Sequence, residues 1–483
     1  MAARVVSFCF LIPVRVLADV KYEATWESLD SRPTPQWWSE QKFSLFMHWG
    51  LYAVPAFCPA TPQTKTCYAE HFWDTSHNNG SAQQQYMRDV YGPHFEYQDF
   101  APLFSAANFD PAAWASLFKR SGAQGLTMTS KHHEGWTLWP NSRHANWNSV
   151  DTMPHRDLLQ EVGDAVRAEG LKFGFYYSLM EWDRAYTNVT GTEQWSVADY
   201  VNHTMIPDLK DLVLRYHPDV LYVDGEWSYP SDHWQTKPFL AWLFNDSPVR
   251  EKVAVNDRWG NDCRGKHGGF YVCEYSGEVG GSCIADKPEH PWTSHEGMGQ
   301  SFGYNKIDIY KDASYFVSLL VQSVAYGGHL QLNVGPTSDG LVPPPQAAIL
   351  EQMGRWLTVN GEAIWNTSAA PFGFDRACMK PSSSTGKKQC YTSRGSTLYV
   401  MTIGWPGELV LKQDMLPASE HPVILVGLSP KVPATFNVTS RGNETLITVP
   451  PISLSDLPSA DVESNCFTFR IQTGLLRHGE ILV

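Results

Sequence analysis

Two carboxylates stand out by where the chain puts them. The run "LYVDGEW" ends a strand-like stretch in Asp224, and "FYVCEY" brings Glu274 to the same kind of place, each with aromatic neighbours. Two carboxyl groups across a sugar-binding pocket are the equipment of glycoside hydrolysis. One attacks the anomeric carbon or activates the water that does, and the other protonates the leaving oxygen. The acid needs a raised pKa, which a dry aromatic setting supplies. Taken singly, either carboxylate is as readily a strand-end cap or a barrel salt bridge. The company they keep changes that balance. His48 in "FMHWG", His132 and His133 in "KHHEGW", Tyr177 in "FGFYYS" and Arg258 in "VNDRW" also end apolar runs. Imidazole donates from one nitrogen and accepts at the other, which suits sugar hydroxyls. Adjacent strand residues point to opposite faces, so His132 and His133 would chelate one ion only if the chain bent at the strand end. Arg258 suits a ring or hydroxyl oxygen, or a salt bridge within a barrel.

These residues need a scaffold that gathers strand ends. From about residue 40 to 340, apolar β-prone runs alternate with helical patterns. The runs are "FSLFMHWG", "GLTMTSKHHEGW", "KFGFYYSLMEW", "DVLYVDGEW", "KVAVNDRW", "GFYVCEY" and "HLQLNVGP"; "HRDLLQEVGDAVRAEG" and "MIPDLKDLVLRYH" read as amphipathic helices between them. The alternation implies parallel strands in βα units and fits a (β/α)8-like barrel, whose active site lies at the C-terminal ends of the strands. A doubly wound open sheet would bring a glycine-rich loop after its first strand, and "HWGLYAVPAF" is not one. Beyond about residue 366 the texture becomes short β runs and turns, which reads as an all-β sandwich. The predicted organisation is a signal peptide over 1–18, a catalytic barrel over 19–365 and a C-terminal β-sandwich over 366–483.

The chain of 483 residues is 43% hydrophobic and 18% charged, enough for a large core plus an appended domain. Nineteen Trp and 13% aromatic residues supply core anchors and flat faces for sugar rings. A net charge of −13 argues against nucleic acid or an anionic membrane as partner. Arg4, the apolar run "VVSFCFLIPV" and "VLA" ending at Ala18 make a signal peptide, too short to span a bilayer. Asn79, Asn188, Asn202, Asn245, Asn366, Asn437 and Asn443 sit in glycosylation sequons. Both point to the secretory route, extracellular or lysosome-like. Loss of Cys9 with the signal leaves eight cysteines, with Cys58–Cys67 and Cys378–Cys390 the local pairs. Zinc spacing of the Cys-x-x-Cys kind is absent from the sequence.

The set "FMHWGLYAVPA", "YAEHFW", "TSKHHEGWTLWP", "FGFYYSLMEW", "DGEW", "VNDRWG", "SFGYN" and "LQLNVGP" resembles the α-L-fucosidases, family 29 of the glycoside hydrolases, over about residues 22–365. The resemblance implies that Asp224 is the nucleophile, that Glu226 is not, and that Glu274 is the acid/base, with Glu278, Glu289 and Glu296 as rivals. It also implies a fucose pocket of His48, Glu70, His132, His133, Tyr177, Tyr222, Arg258 and Phe302. Two positions depart from the family: Tyr222 stands where a Trp commonly precedes the nucleophile, and His71 where a Trp commonly follows the pocket Glu. The implied reaction is hydrolysis of terminal α-L-fucosyl residues with retention, through a covalent fucosyl-enzyme, without metal or organic cofactor. The carboxyl groups would lie roughly 5–5.5 Å apart. The partner is a fucosylated glycan, and a homo-oligomer is compatible. Linkage choice falls to "CPATPQTKTC" and residues 275–300. A lectin-like fucose binder would lack one carboxylate, and a metal-dependent barrel hydrolase would be sensitive to chelators.

Overall fold

The computed structural model describes residues 21–59, 67–182, 196–275, 290–369, 378, 388–412, 423–432, 434–442 and 444–472. The signal segment, Asn188, Asn443, Glu278, Glu289 and the interior of "CPATPQTKTC" lie outside them.

Eight strands form one parallel sheet: β1 (Phe43–Met47), β2 (Gly125–Lys131), β3 (Lys172–Ser178), β4 (Val220–Asp224), β5 (Ala254–Val255), β6 (Tyr271–Glu274), β7 (Trp292–Gly297) and β8 (His329–Val334). Their order is β5-β4-β3-β2-β1-β8-β7-β6. A parallel bridge between Asn256 and Phe270 joins the two end strands, so the sheet closes on itself. β5 is only two residues long because side chain takes over from backbone. The Asn256 amide accepts from Val223 N at 3.1 Å and donates to Val223 O at 2.7 Å, continuing the ladder beside β4. Trp38, Phe46, Tyr176, Val220, Tyr222, Ala254 and Phe270 fill the interior.

Helices pack outside by the apolar stripe the sequence offers. In Leu158–Ala168, Leu158, Leu159, Val162 and Val166 recur at helical spacing and are buried, and the Asp157 side chain caps Gln160 N. Ile206–Tyr216 buries Leu209, Leu212 and Val213 in the same way. One strand, β7, has no counterpart among the apolar runs of the sequence, because "WTSHEG" is polar. All six of its residues are buried. Thr293 Oγ1 lies 3.1 Å from the His329 ring, and the His295 ring packs on Phe46 inside the barrel.

The C-terminal region has two antiparallel sheets, one of five strands and one of three. The five-stranded sheet is covered on both faces. In strand Thr397–Ile403, Leu398 and Val400 enter the core between the sheets, while Tyr399 and Met401 join the barrel's core. This fixes the β region to the barrel, with Arg470 to Glu362 (3.0 Å) and Asn360 to Asp461 (2.6 Å) across the junction.

The disulfides Cys58–Cys67 and Cys378–Cys390 are formed. Cys273 is disulfide-bonded too, while Cys263 and Cys466 are buried thiols. Sequon residues Asn79, Asn202, Asn366 and Asn437 are exposed. Asn245 differs: its amide accepts from Tyr22 N and donates to Tyr22 O, both at 2.8 Å, pinning the N-terminal segment. Among the described residues no helix is long and apolar enough to cross a membrane.

Candidate active site

The strand ends converge on a pocket of about 170 Å³, room for one small ring. It is lined by His48, Glu70, His132, Tyr222, Asp224, Arg258, Glu274 and Phe302, all expected from the sequence, and by Phe46, Tyr68, His71, Tyr176, Trp227, Arg264 and His295.

Asp224 is the last residue of β4. The chain turns sharply behind it: Gly225 has φ 71°, and a Cβ there would meet Met180 Cγ and Ser178 Oγ at 2.8 Å. The carboxylate is thereby left facing the pocket. Arg258 pairs with Oδ1, and the Tyr176 hydroxyl donates to Oδ2 at 2.8 Å. Burial pushes the Asp224 pKa up, but the Arg258 charge and then the Tyr176 hydroxyl outweigh it and hold the group below its ordinary value. Glu274 closes β6 and accepts from Arg258 Nη1 at 3.0 Å. Its pKa lies above the ordinary value, raised by burial and by the Asp224 charge against the pull of Arg258. One guanidinium therefore holds two carboxyl groups whose proton affinities are driven apart. Glu226 points away, to Arg258 Nε at 3.3 Å and to Arg264, and is 1% exposed.

Glu70 comes from the 3₁₀ turn Ala69–His71 and crosses to the loop after β7, accepting from Phe302 N (3.2 Å) and Gly303 N (2.8 Å). Gly303 is required there, since a Cβ would strike the Tyr52 ring at 2.7 Å. Burial raises Glu70 to about 8 in spite of those amides. The Phe302 ring stacks on His48 at 5.0 Å, and His48 Nδ1 is fixed by Asn333 Oδ1 at 2.8 Å.

The histidine pair resolves as a bend. The ladder between β2 and β3 shifts register between Thr129 and Lys131, and Lys131 leaves the barrel to meet Glu181 at 2.7 Å. His132 then lines the pocket. His133 stands behind it, with Nδ1 2.6 Å from Ser178 Oγ and Nε2 3.8 Å from Asp224 Oδ2. Burial keeps both rings neutral, His132 at about 3. Among the described residues, His71, His132 and His133 form the cluster that could hold a metal, with nitrogens within 4.8 Å of one another.

Two residues expected in the pocket do not line it: His133, behind His132, and Tyr177. Side chains alternate along β3, so Tyr176 faces in and Tyr177 faces out. The Tyr177 hydroxyl donates to Asp208 Oδ2 at 3.1 Å, and Lys131 Nζ sits 4.4 Å above its ring. Sequence reasoning also misses His295, which lies on the polar strand β7, and Glu134. The Glu134 carboxyl is 1% exposed, lies 3.5 Å from His132 Nδ1 and is raised to about 8 by burial. Among the rivals for the acid, Glu296 is described; it does not line the pocket and lies 3.9 Å from Lys311.

A (β/α)8-like barrel that gathers two carboxyl groups of lowered and raised proton affinity around a ring-sized pocket has the build of a glycoside hydrolase. A family model described as Alpha-L-fucosidase matches residues 10–362. The tissue α-L-fucosidase of Bos taurus is 38% identical over 450 residues, covering 91% of this chain and 89% of the relative. The human tissue α-L-fucosidase is 38% identical over 414 residues, with 84% of each covered. The crystal structure of Thermotoga maritima α-fucosidase matches with TM-score 0.76 at 31% identity, over 93% of this chain and 100% of that one; its complex with fucose matches at 0.74 and 30%, over 93% and 100%. The chain belongs to the α-L-fucosidase family.

Proposed function

We propose that the protein removes terminal α-L-fucosyl residues from fucosylated glycans with retention, Asp224 attacking the anomeric carbon and Glu274 acting first as acid and then as base. The observation that carries this reading is the split pair around Arg258: a carboxyl held below its ordinary pKa beside one held above it. In the first half-reaction the Asp224 carboxylate forms an ester to the anomeric carbon while the Glu274 proton goes to the leaving oxygen. In the second, water loses a proton to Glu274 and displaces Asp224. His48, His132, Glu70 and Arg258 hold hydroxyls, with Tyr222 and Phe302 as apolar walls for the 6-methyl group. Tyr176 takes the place that the sequence pattern gives to Tyr177.

Neutral histidines donate and accept without a charge to compete with the developing oxocarbenium ion. We infer that no metal takes part, so exhaustive chelation leaves activity intact. Loss on chelation, restored by zinc or calcium, would return the function to a metal-dependent hydrolase built on His71, His132 and His133. The apolar N-terminal segment and the exposed sequons support a secretory or lysosome-like destination. The test of the reaction is NMR of the first-formed product from an aryl α-L-fucoside. Retention gives α-fucose first, and β-fucose first would overturn the two-step route.

A further inference from the structure

We propose that Trp227, assisted by Arg264, forms the seat of the leaving sugar and so determines how well a pyranose leaving group is held. This rests on the fucosidase reading above and extends it from the fucose to the group that departs.

Trp227 is unlike most tryptophans of the chain. Trp38, Trp49, Trp136, Trp139, Trp234, Trp259, Trp292 and Trp356 are almost wholly buried, while Trp227 is 43% exposed. It stands at the edge of the pocket that holds Asp224 and Glu274. An exposed indole at the mouth of a polar pocket leaves a large apolar face in water, and a sugar's C–H face can cover it.

The ring is also held in place before anything binds. It leans on His133 with centroids 5.1 Å apart at 58°. Its carbonyl accepts from Asn261 Nδ2 at 3.3 Å, and the carbonyl of Glu226 before it accepts from Trp234 Nε1 at 3.3 Å. The Glu226 carboxylate is clamped by Arg258 and Arg264. Buried Glu226 thereby anchors the turn that presents Trp227. A fixed platform loses little entropy when a ring stacks on it.

The direction fits the chemistry. Glu274 protonates the bridging oxygen, so the departing ring must lie at the open side of the pocket. Arg264 is there as well, its Nε on Glu226 and its side chain 48% exposed, positioned to donate to oxygens of the departing ring.

The test compares two substrates of one enzyme: a fucosylated disaccharide and α-L-fucosyl fluoride, whose leaving group has no ring to stack and needs no acid. The parent must release fluoride; if it does not, the fucosidase reading itself fails, whatever Trp227 does. With that established, Trp227→Ala and Trp227→Leu are expected to lose about tenfold more kcat/KM on the disaccharide than on the fluoride, the size of a lost aromatic contact. Trp227→Phe, which keeps a ring face, should recover most of that difference. Melting temperatures guard against misfolding, and the ratio between substrates is insensitive to the fraction of active enzyme. Equal losses on both substrates, or none on the disaccharide, would overturn the proposal.

Discussion

Two buried charge clusters lie on opposite faces of β3, and they are built on opposite plans. Outside, Asp208 is saturated: Asn141 donates at 2.9 Å, Tyr177 at 3.1 Å, the His144 ring lies at 2.9 Å, and Arg143 pairs with it. Beside it Lys131 matches Glu181 at 2.7 Å. Inside, Arg258 is shared by Asp224, Glu226 and Glu274, and among the described residues Arg264 is the one further cation paired with them. The outer cluster is balanced, and burial fails to lift Asp208, whose partners hold it at about 2. The inner one is short of positive charge, and there burial and the Asp224 charge lift Glu274 above its ordinary value. A saturated cluster stabilises a fold, whereas an unsaturated one facing a pocket is ready to exchange a proton with a substrate.

That contrast breaks most sharply at its centre. Asp224→Gly is expected to lower kcat by about a thousandfold or more, because no second group can form the covalent bond. Its unfolding free energy should change little, and azide should restore part of the activity. Near-normal turnover would place the nucleophile elsewhere.

Glu274→Gln should cost about a hundredfold on substrates with poor leaving groups and far less on activated aryl fucosides, which leave without a proton. Its kcat/KM profile should also lose the fall on the alkaline side, since that fall reports a raised acid. Equal losses on both substrates would shift the role to Glu296, Glu289 or Glu278.

Asp208→Asn should do the reverse of Asp224→Gly. Leaving Arg143 and His144 facing a neutral amide costs about 3 kcal/mol of unfolding free energy, with kcat per folded molecule preserved. The ionised Asp208 contributes stability that is present above the ordinary aspartate value of 3.8 and is lost as pH falls towards about 2, so the variant's deficit should shrink in acid. A variant as stable as the parent would show the outer cluster to be dispensable.

The tyrosine doublet sharpens the comparison at a single step of the chain. Tyr176→Phe removes a hydroxyl bonded to a charged group, worth about 1.5–3 kcal/mol, and should lower kcat/KM at least about tenfold while moving its acid-side fall to higher pH. Tyr177→Phe should cost about 1 kcal/mol of stability and leave kinetics alone. Interchanged phenotypes would reverse the faces of β3.

A further effect lies in the pH dependence of stability. Glu70 and Glu134 titrate at about 8 in the folded protein against an ordinary value of 4.5, so between those limits the unfolded chain has released protons that the fold retains. Stability contributed by these groups therefore falls as pH rises from about 4.5 to about 8. Neutral His71 and His132, at about 4 and about 3, act oppositely but only below 6.5. Unfolding free energy should decline from pH 6.5 to 8, and Glu134→Gln should flatten that decline. A flat parent profile would contradict the burial argument.

Much of the site is legible in the sequence. Asp224, Glu274, His48, His132 and Arg258 each end an apolar run, and a barrel brings such ends together. What the sequence hides is parity and polarity. "FYYS" contains two tyrosines, and only the pairing of Ser178 with Asp224 and Tyr176 with Tyr222 decides which one shares Asp224's face. β7 is invisible because a strand inside a closed barrel can bury Thr, Ser, His and Glu against polar neighbours, leaving no hydrophobic signature. Phe302 stands on a loop, where no periodicity speaks, and only the family pattern "SFGYN" points to it.

The central claim is that Asp224, held ionised by Arg258, is the group that bonds to the sugar. Its most direct test is to trap the intermediate with a fluorinated fucosyl fluoride that forms the ester quickly and hydrolyses it slowly, digest the protein and sequence the labelled peptide by mass spectrometry. One fucosyl adduct on Asp224 is expected, absent from Asp224→Gly. An adduct on Glu226 or Glu274, or turnover with no adduct at all, would contradict the account.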